Sequence, residues 1–470
     1  SEAMTDNAYT KQPNDFTQNI GNGSYSTADA YVKKVWDGRY TGIRMCNQLL
    51  ENIDRVPDLD PELKKRYIGE AKVLRAYNYY ELYTKFGDVP YTTKVLSIKE
   101  SMSIARTDRA TVIANMLADL DEVINGNYLP TSYDADNKGR ITRWAAMAIK
   151  AKIYLFEGNW TQVKNITSTI MTEGGFTLFG SYAGLFEIAN EYNSEVILDA
   201  QYRPTSREHQ MMYAFLPPSL GGYSQLSPLQ ELVDSYIMLD GKTIKETGTS
   251  FDESHPYANR DPRLKATVMY TGNSYTLIDG TEVIINCEKG EGKDGYGVGS
   301  DCSATGYYIK KYWDNTYRAT LYSGLNPILI RYADILLMNA EALAELGELD
   351  KTAWDATIKP IRNRAGFTLA SALEFPEGAS KDKLIEIVRN ERRSELALEG
   401  HRHKDIIRWR IADDVLNGWC HGLKTNEVVG TDNGYVRVEN RTFNANRHYL
   451  WPIPQAERDL NGNLEQNPNW

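Results

Sequence analysis

The run WDNTYR, residues 313–318, sets two aromatic rings, Trp313 and Tyr317, among Asp314, Asn315, a hydroxyl and Arg318. That composition suits a carbohydrate platform. Aromatic faces stack on the apolar faces of pyranose rings, and carboxylate, amide and guanidinium groups hydrogen-bond the hydroxyls. A plainer role is equally compatible: Trp313 closes the strand-like stretch 306–312 and packs into its own domain. Other chemistry finds little support. The stretch GEGKDG, 290–295, has the spacing of a dinucleotide-binding loop but precedes YGVGSDC and no helix. His401 and His403 stand two apart, which on a helix turns them about 200° from one another, a poor metal pair. Carboxylates abound, yet sequence alone does not give the separation that a glycosidase pair requires. No catalytic motif and no cofactor motif emerges.

The elements that must position these residues belong to a chain of 470 residues with 41% hydrophobic content, enough to bury a sizeable core. Its net charge of −10, with no basic run, argues against nucleic acid and mildly against a highly anionic polysaccharide. No apolar run reaches the roughly 18 to 20 residues that span a bilayer. The polar opening SEAMTDNAYTKQPNDF reads as a chain whose export signal has been removed. Four cysteines are too few for a disulfide scaffold, although Cys287 and Cys302 bracket a Gly-rich loop of about 15 residues that a bridge could stabilise by roughly 3 kcal/mol. Two unlinked thiols are the alternative.

Helical periodicity marks both ends. Apolar spacing predicts helices over 31–54, 61–86 after Pro61, and from Thr107 or Asp108, Thr142 and Trp160 onward. Further helices are expected over 326–347, 349–366 and 381–400. Alanine stripes and helix pairs suggest tetratricopeptide-like stacking over 31–172 and 327–410. Between them, 174–325 is rich in Gly, Pro, Asn and Tyr, with short strand-like runs, an irregular region with minor sheet. The prediction is thus a mostly α-helical fold. Within 61–86, at about 100° per residue counted from Tyr77, Tyr79, Tyr83 and Tyr80 fall within a 100° arc, with Ala71, Leu74, Leu82 and Phe86 opposite. A helix apolar on nearly all sides is buried, so these tyrosines are read as packing.

Eight blocks follow in fixed order, among them GEAKVLRAYNYYELYTKFGDVPY (69–91), GRITRWAAMAIKAKIYLFEGNW (139–160), LIRYADILLMNAEALAELG (329–347), RNERRSELALEGHRHKDIIRW (389–409) and LWPIPQAERDLNGNLEQNPNW (450–470). Together they resemble the SusD/RagB family, the nutrient-binding outer-membrane lipoproteins of Bacteroidetes. The resemblance implies one domain over 1–470: a scaffold of tetratricopeptide-like helix pairs, 174–325 as the variable ligand-binding region, and 411–470 as an extended C-terminal clamp. It also implies a surface lipoprotein held on the outer membrane by an N-terminal lipid. As a lid on a SusC-like TonB-dependent transporter, such a protein passes oligosaccharide, or in some members peptide, to the barrel. His403 departs from a position often aromatic in the family. The block charges Arg392, Arg393, Glu395, Glu399, Arg402 and Asp405 read as a structural ion-pair network.

Ligand contacts are therefore expected between the blocks, on loops held by the scaffold. Three loops qualify. The first is 202–225, with Tyr213, Phe215 and Tyr223; the second is 307–322, with Trp313, Asp314, Asn315, Tyr317 and Arg318; the third is 91–106, with Tyr91. The second ranks highest. The leading expectation is a non-catalytic glycan-binding protein, with a peptide-binding member, a helical glycoside hydrolase and a purely structural lid as alternatives. No metal or other cofactor is expected.

Overall fold

The computed structural model describes residues 2–12, 17–317 and 320–470. Helix dominates, as the periodicity predicted, and the strands are short. The chain divides into two compact units. One comprises 1–22, 175–406 and 414–442; the other comprises 23–174, 407–413 and 443–470.

In the second unit five long helices follow in chain order, Ala30–Asn52, Pro61–Phe86, Arg109–Asn125, Arg143–Phe156 and Trp160–Glu173, each packed against the next. Every one starts on a side chain that accepts from its first-turn amides: Asp29, Asp60, Asp108, Thr142 and Asn159. Such caps satisfy orphan donors and are worth about 1 kcal/mol each. Ala145, Ala146, Ala148 and Ala151 are fully buried, small enough for close helix contact. Tyr79, Tyr80 and Tyr83 are buried, and Tyr79 exchanges hydrogen bonds with the Thr92 backbone at 2.8 and 3.0 Å. Leu74, expected inside, is instead 44% exposed.

The helix stops at Gly87, whose φ of 71° and N–H to Tyr83 O make a cap that an L side chain strains to adopt. The C-terminal stretch then locks this end. Trp451 N–H donates to Lys85 O, and the Asn467 amide donates to Phe86 O and Trp451 O. Arg106 ties the other side, donating to Glu465 O and Asn467 Oδ1.

In the first unit the helix Tyr332–Leu346 packs on Lys381–Glu395. The helix expected over 326–347 opens as a strand, Ile328–Arg331, paired antiparallel with Val196–Asp199. The run 349–366 divides at Thr357 into Lys351–Ala356 and Ile358–Ala365. Short antiparallel pairs join Val268–Met269 to Tyr308–Ile309 and Ser274–Thr276 to Glu282–Ile284, and the hairpin Gly418–Lys424 with Tyr435–Arg441 forms a further sheet. All four cysteines are free and buried, so Cys287 and Cys302 are not bridged; the Cys302 thiol donates to Lys293 O.

The block charges do form a network, but their partners come mostly from other elements. Arg331 binds Glu195, Glu395 and Glu399 at 2.6 to 2.7 Å, Arg263 binds Asp261, Glu391 and Glu395, and Arg392 binds Asp334 and Asp405. Burial alone would raise the Glu395 carboxyl, yet Arg364, Arg331 and Arg263 hold it well below the usual carboxylate range. Charges this deep are tolerable only when paired on every side.

Candidate functional site

The segment bearing Trp313 is fixed from below. After the strand Tyr308–Ile309, the buried Lys311 ammonium reaches Tyr182 Oη at 2.8 Å, Ala397 O at 2.9 Å and Glu399 Oε1 at 2.6 Å, with Phe186 4.3 Å beneath it. Burial draws this amine down to about 8 despite the Glu399 partner. Tyr312 follows with φ of 63°, a left-handed conformation costly for a bulky residue, and packs its buried ring on Phe186 at 4.9 Å. That turn brings the Trp313 indole, half-buried, onto Tyr275 at 4.9 Å and beside Tyr317 at 5.4 Å. Its N–H donates to Thr276 O at 2.9 Å, and Tyr317 Oη donates to Leu220 O at 2.9 Å.

Asp314 points inward. Its carboxylate accepts from Thr316 N–H at 2.8 Å, Thr316 Oγ1 at 2.6 Å and the buried Ser323 hydroxyl, so it organises the turn and has little capacity left for a ligand. Asn315 is exposed at the turn's tip. Arg318 lies outside the described residues.

Tyr213 and Tyr223 form a second aromatic pair, centroids 4.2 Å apart and tilted by 30°, joined by the bond from Tyr223 N–H to Tyr213 O. Tyr213, Phe215 and Leu220 pack against the same buried cluster as Trp313 and Tyr317. The loops 202–225 and 307–322 are thus brought together on one core. Tyr91 belongs to the other unit, where its ring meets Tyr79 at 4.5 Å and burial raises its hydroxyl to about 12. The ring under Trp313, Tyr275, was not among the residues expected from sequence. Its local signal was the run YTLIDG, one of the short strand-like runs within 174–325. Among the described residues there is no group of three or more His, Cys, Asp or Glu placed to hold a metal ion, and no helix is long and apolar enough to cross a membrane.

A stack of capped helices in one unit, and in the other an irregular region carrying aromatic rings on braced loops, make up a mostly helical fold. The description "SusD family" matches residues 185–470, and "Starch-binding associating with outer membrane" matches residues 1–155. The chain belongs to the SusD family. It is 28% identical to SusD-like protein P25 of Formosa agariphila over 427 residues, 84% of this chain and 75% of that protein. Among solved structures, a SusD-like carbohydrate binding protein from Bacteroides fragilis superposes with a TM-score of 0.88 at 29% identity, covering 99% of this chain and 92% of that one. A laminarin binding SusD-like protein superposes with a TM-score of 0.74 at 25% identity, covering 100% and 93%.

Proposed function

We propose that this protein is a non-catalytic, surface-anchored glycan-binding lipoprotein that captures oligosaccharide on the Trp313 platform and passes it to a SusC-like TonB-dependent outer-membrane transporter. The observation that carries the reading is the Trp313 ring itself. It is backed by Tyr275 and Tyr317 on a backbone braced by Lys311 and Asp314, and it shares its core with Tyr213, the ring that meets Tyr223. Rings held in place before a ligand arrives lose little freedom on binding, which favours affinity. Asn315 supplies a hydrogen-bonding side chain at the exposed tip of the same turn, and Arg318 is the further candidate in sequence. Family membership supports the reading, as do relatives described as carbohydrate-binding and laminarin-binding and a family description that speaks of starch binding at the outer membrane.

The test is a binding screen of the purified protein against soluble plant, fungal and host polysaccharides and unrelated peptides, with ligand integrity measured afterwards. Binding of a glycan that stays intact is the expected result. Release of reducing ends would replace capture by hydrolysis, and binding of peptides alone would replace the ligand class. Co-purification with a TonB-dependent barrel tests the delivery step.

A further inference from the structure

The unit that holds Trp313 contains a separate cleft of about 470 Å³, which none of the platform residues lines. Its volume lies within the range of ligand sites, about 300 to 1,000 Å³. Its floor is charged but fully committed. Asp6 receives Arg402 at 2.8 Å and Arg393 at 2.9 Å, and Arg441 donates to Thr5 O and Ala8 O. One wall is the hairpin strand Gly418–Lys424, fastened to the helix Gln230–Ser235 by His421, whose ring bridges Glu231 at 2.7 Å and Asp432 at 3.0 Å.

The rim differs from the floor. Trp419, on that strand, lines the cleft and is 44% exposed, with the Arg437 guanidinium 5.5 Å from its ring centroid. Among the described residues, no hydrogen bond or ion pair engages the Lys245 ammonium or the Asp414 carboxylate. Asp234 commits one oxygen to Gln230, and Asn390 spends its amide N–H on Ser235 O, leaving its carbonyl oxygen. An open cleft with a braced floor thus offers one aromatic ring, one ammonium donor and three acceptor side chains.

We infer that this cleft is a second saccharide-contact site, with Trp419 as its stacking surface and Lys245, Asp234, Asp414 and Asn390 as hydroxyl partners. The inference rests on the glycan-binding reading but not on the Trp313 platform. A neutral, polyhydroxylated ligand fits best, since an anion would face Asp234 and Asp414 and a cation would face Lys245 above two arginines. Sugar hydroxyls both donate and accept, matching the mixed rim. Two contact sites on one unit would raise the hold on a polymer above that of either alone.

The experiment is calorimetric titration of the full chain with a panel of defined oligosaccharides that includes laminarihexaose and maltohexaose, read as stoichiometry. The expected result is two sites, falling to one in Trp419→Ala and in the surface double variant Lys245→Met with Asp414→Asn, each with an unchanged melting temperature. Trp313→Ala should retain the Trp419 site. A sole site lost only in the Trp419 and Lys245 variants upholds the cleft and removes the platform. Unchanged stoichiometry in both cleft variants, with loss in Trp313→Ala, overturns the inference and leaves the proposed function standing. Binding of no oligosaccharide on the panel overturns the inference together with the reading beneath it.

Discussion

Trp313→Ala separates the two roles that this residue can fill. The truncation removes two ring contacts, to Tyr275 and Tyr317, and the indole bond to Thr276 O. Aromatic pairs are worth about 0.5–1.5 kcal/mol each beyond area, and a neutral hydrogen bond about 1 kcal/mol net. Since the ring is only half-buried, the loss of stability should stay near the lower end of aromatic truncations, about 3 kcal/mol. Trp313→Phe keeps a stacking face and gives up the indole donor, so it should cost about 1 kcal/mol. If the ring also stacks on a sugar, Trp313→Ala should weaken binding by a further 1–3 kcal/mol, about 5- to 150-fold in Kd, with Trp313→Phe in between. Denaturant unfolding and calorimetric titration on the same preparations give both numbers. A stability loss of that size with an unchanged Kd in both variants would show that Trp313 packs its own domain and nothing more, and would refute the platform.

Two further perturbations probe the frame. Arg331→Met leaves Glu195, Glu395 and Glu399 short of a buried partner, and unfolding of the variant should show a loss of about 3–5 kcal/mol; a loss below about 1 kcal/mol would mean that Arg263, Arg364 and Lys311 suffice to hold those carboxylates. His448 is buried among Tyr25, Phe443 and Trp470, accepts from Asn444 N–H on Nδ1, and is held at about 4 by burial and by Arg447. Its folded value lies below the ordinary 6.5, so the unfolded chain binds the proton more readily. The contribution of His448 is therefore complete above pH 6.5 and is lost as pH falls toward 4, on the order of 3 kcal/mol. His448→Gln should flatten the stability profile in that window relative to the parent; parallel profiles would count against a neutral buried imidazole.

The second unit was largely legible in the amino-acid order. Pro61 and Gly87 bound a helix whose ends match the expected 61–86, and Asp108, Thr142 and the Trp160 start mark the next three, because caps and 3.6-residue periodicity act over one or two turns of chain. Family blocks likewise announced the charges around Arg392, though not their partners. What only the tertiary structure decided lies at long separation. Ile328–Arg331 became a strand since Val196–Asp199 offered it an edge, overriding the helical run that follows. Lys311 meets residues 182, 397 and 399, Tyr275 underlies Trp313 from another hairpin, and Asp314 turns inward to Ser323 instead of outward to a ligand. The Trp419 cleft draws its walls from separate stretches between Asp6 and Arg441. Local order specifies helices through short-range hydrogen bonds and side-chain spacing. A binding surface depends on which distant segments share a core, and that choice belongs to packing.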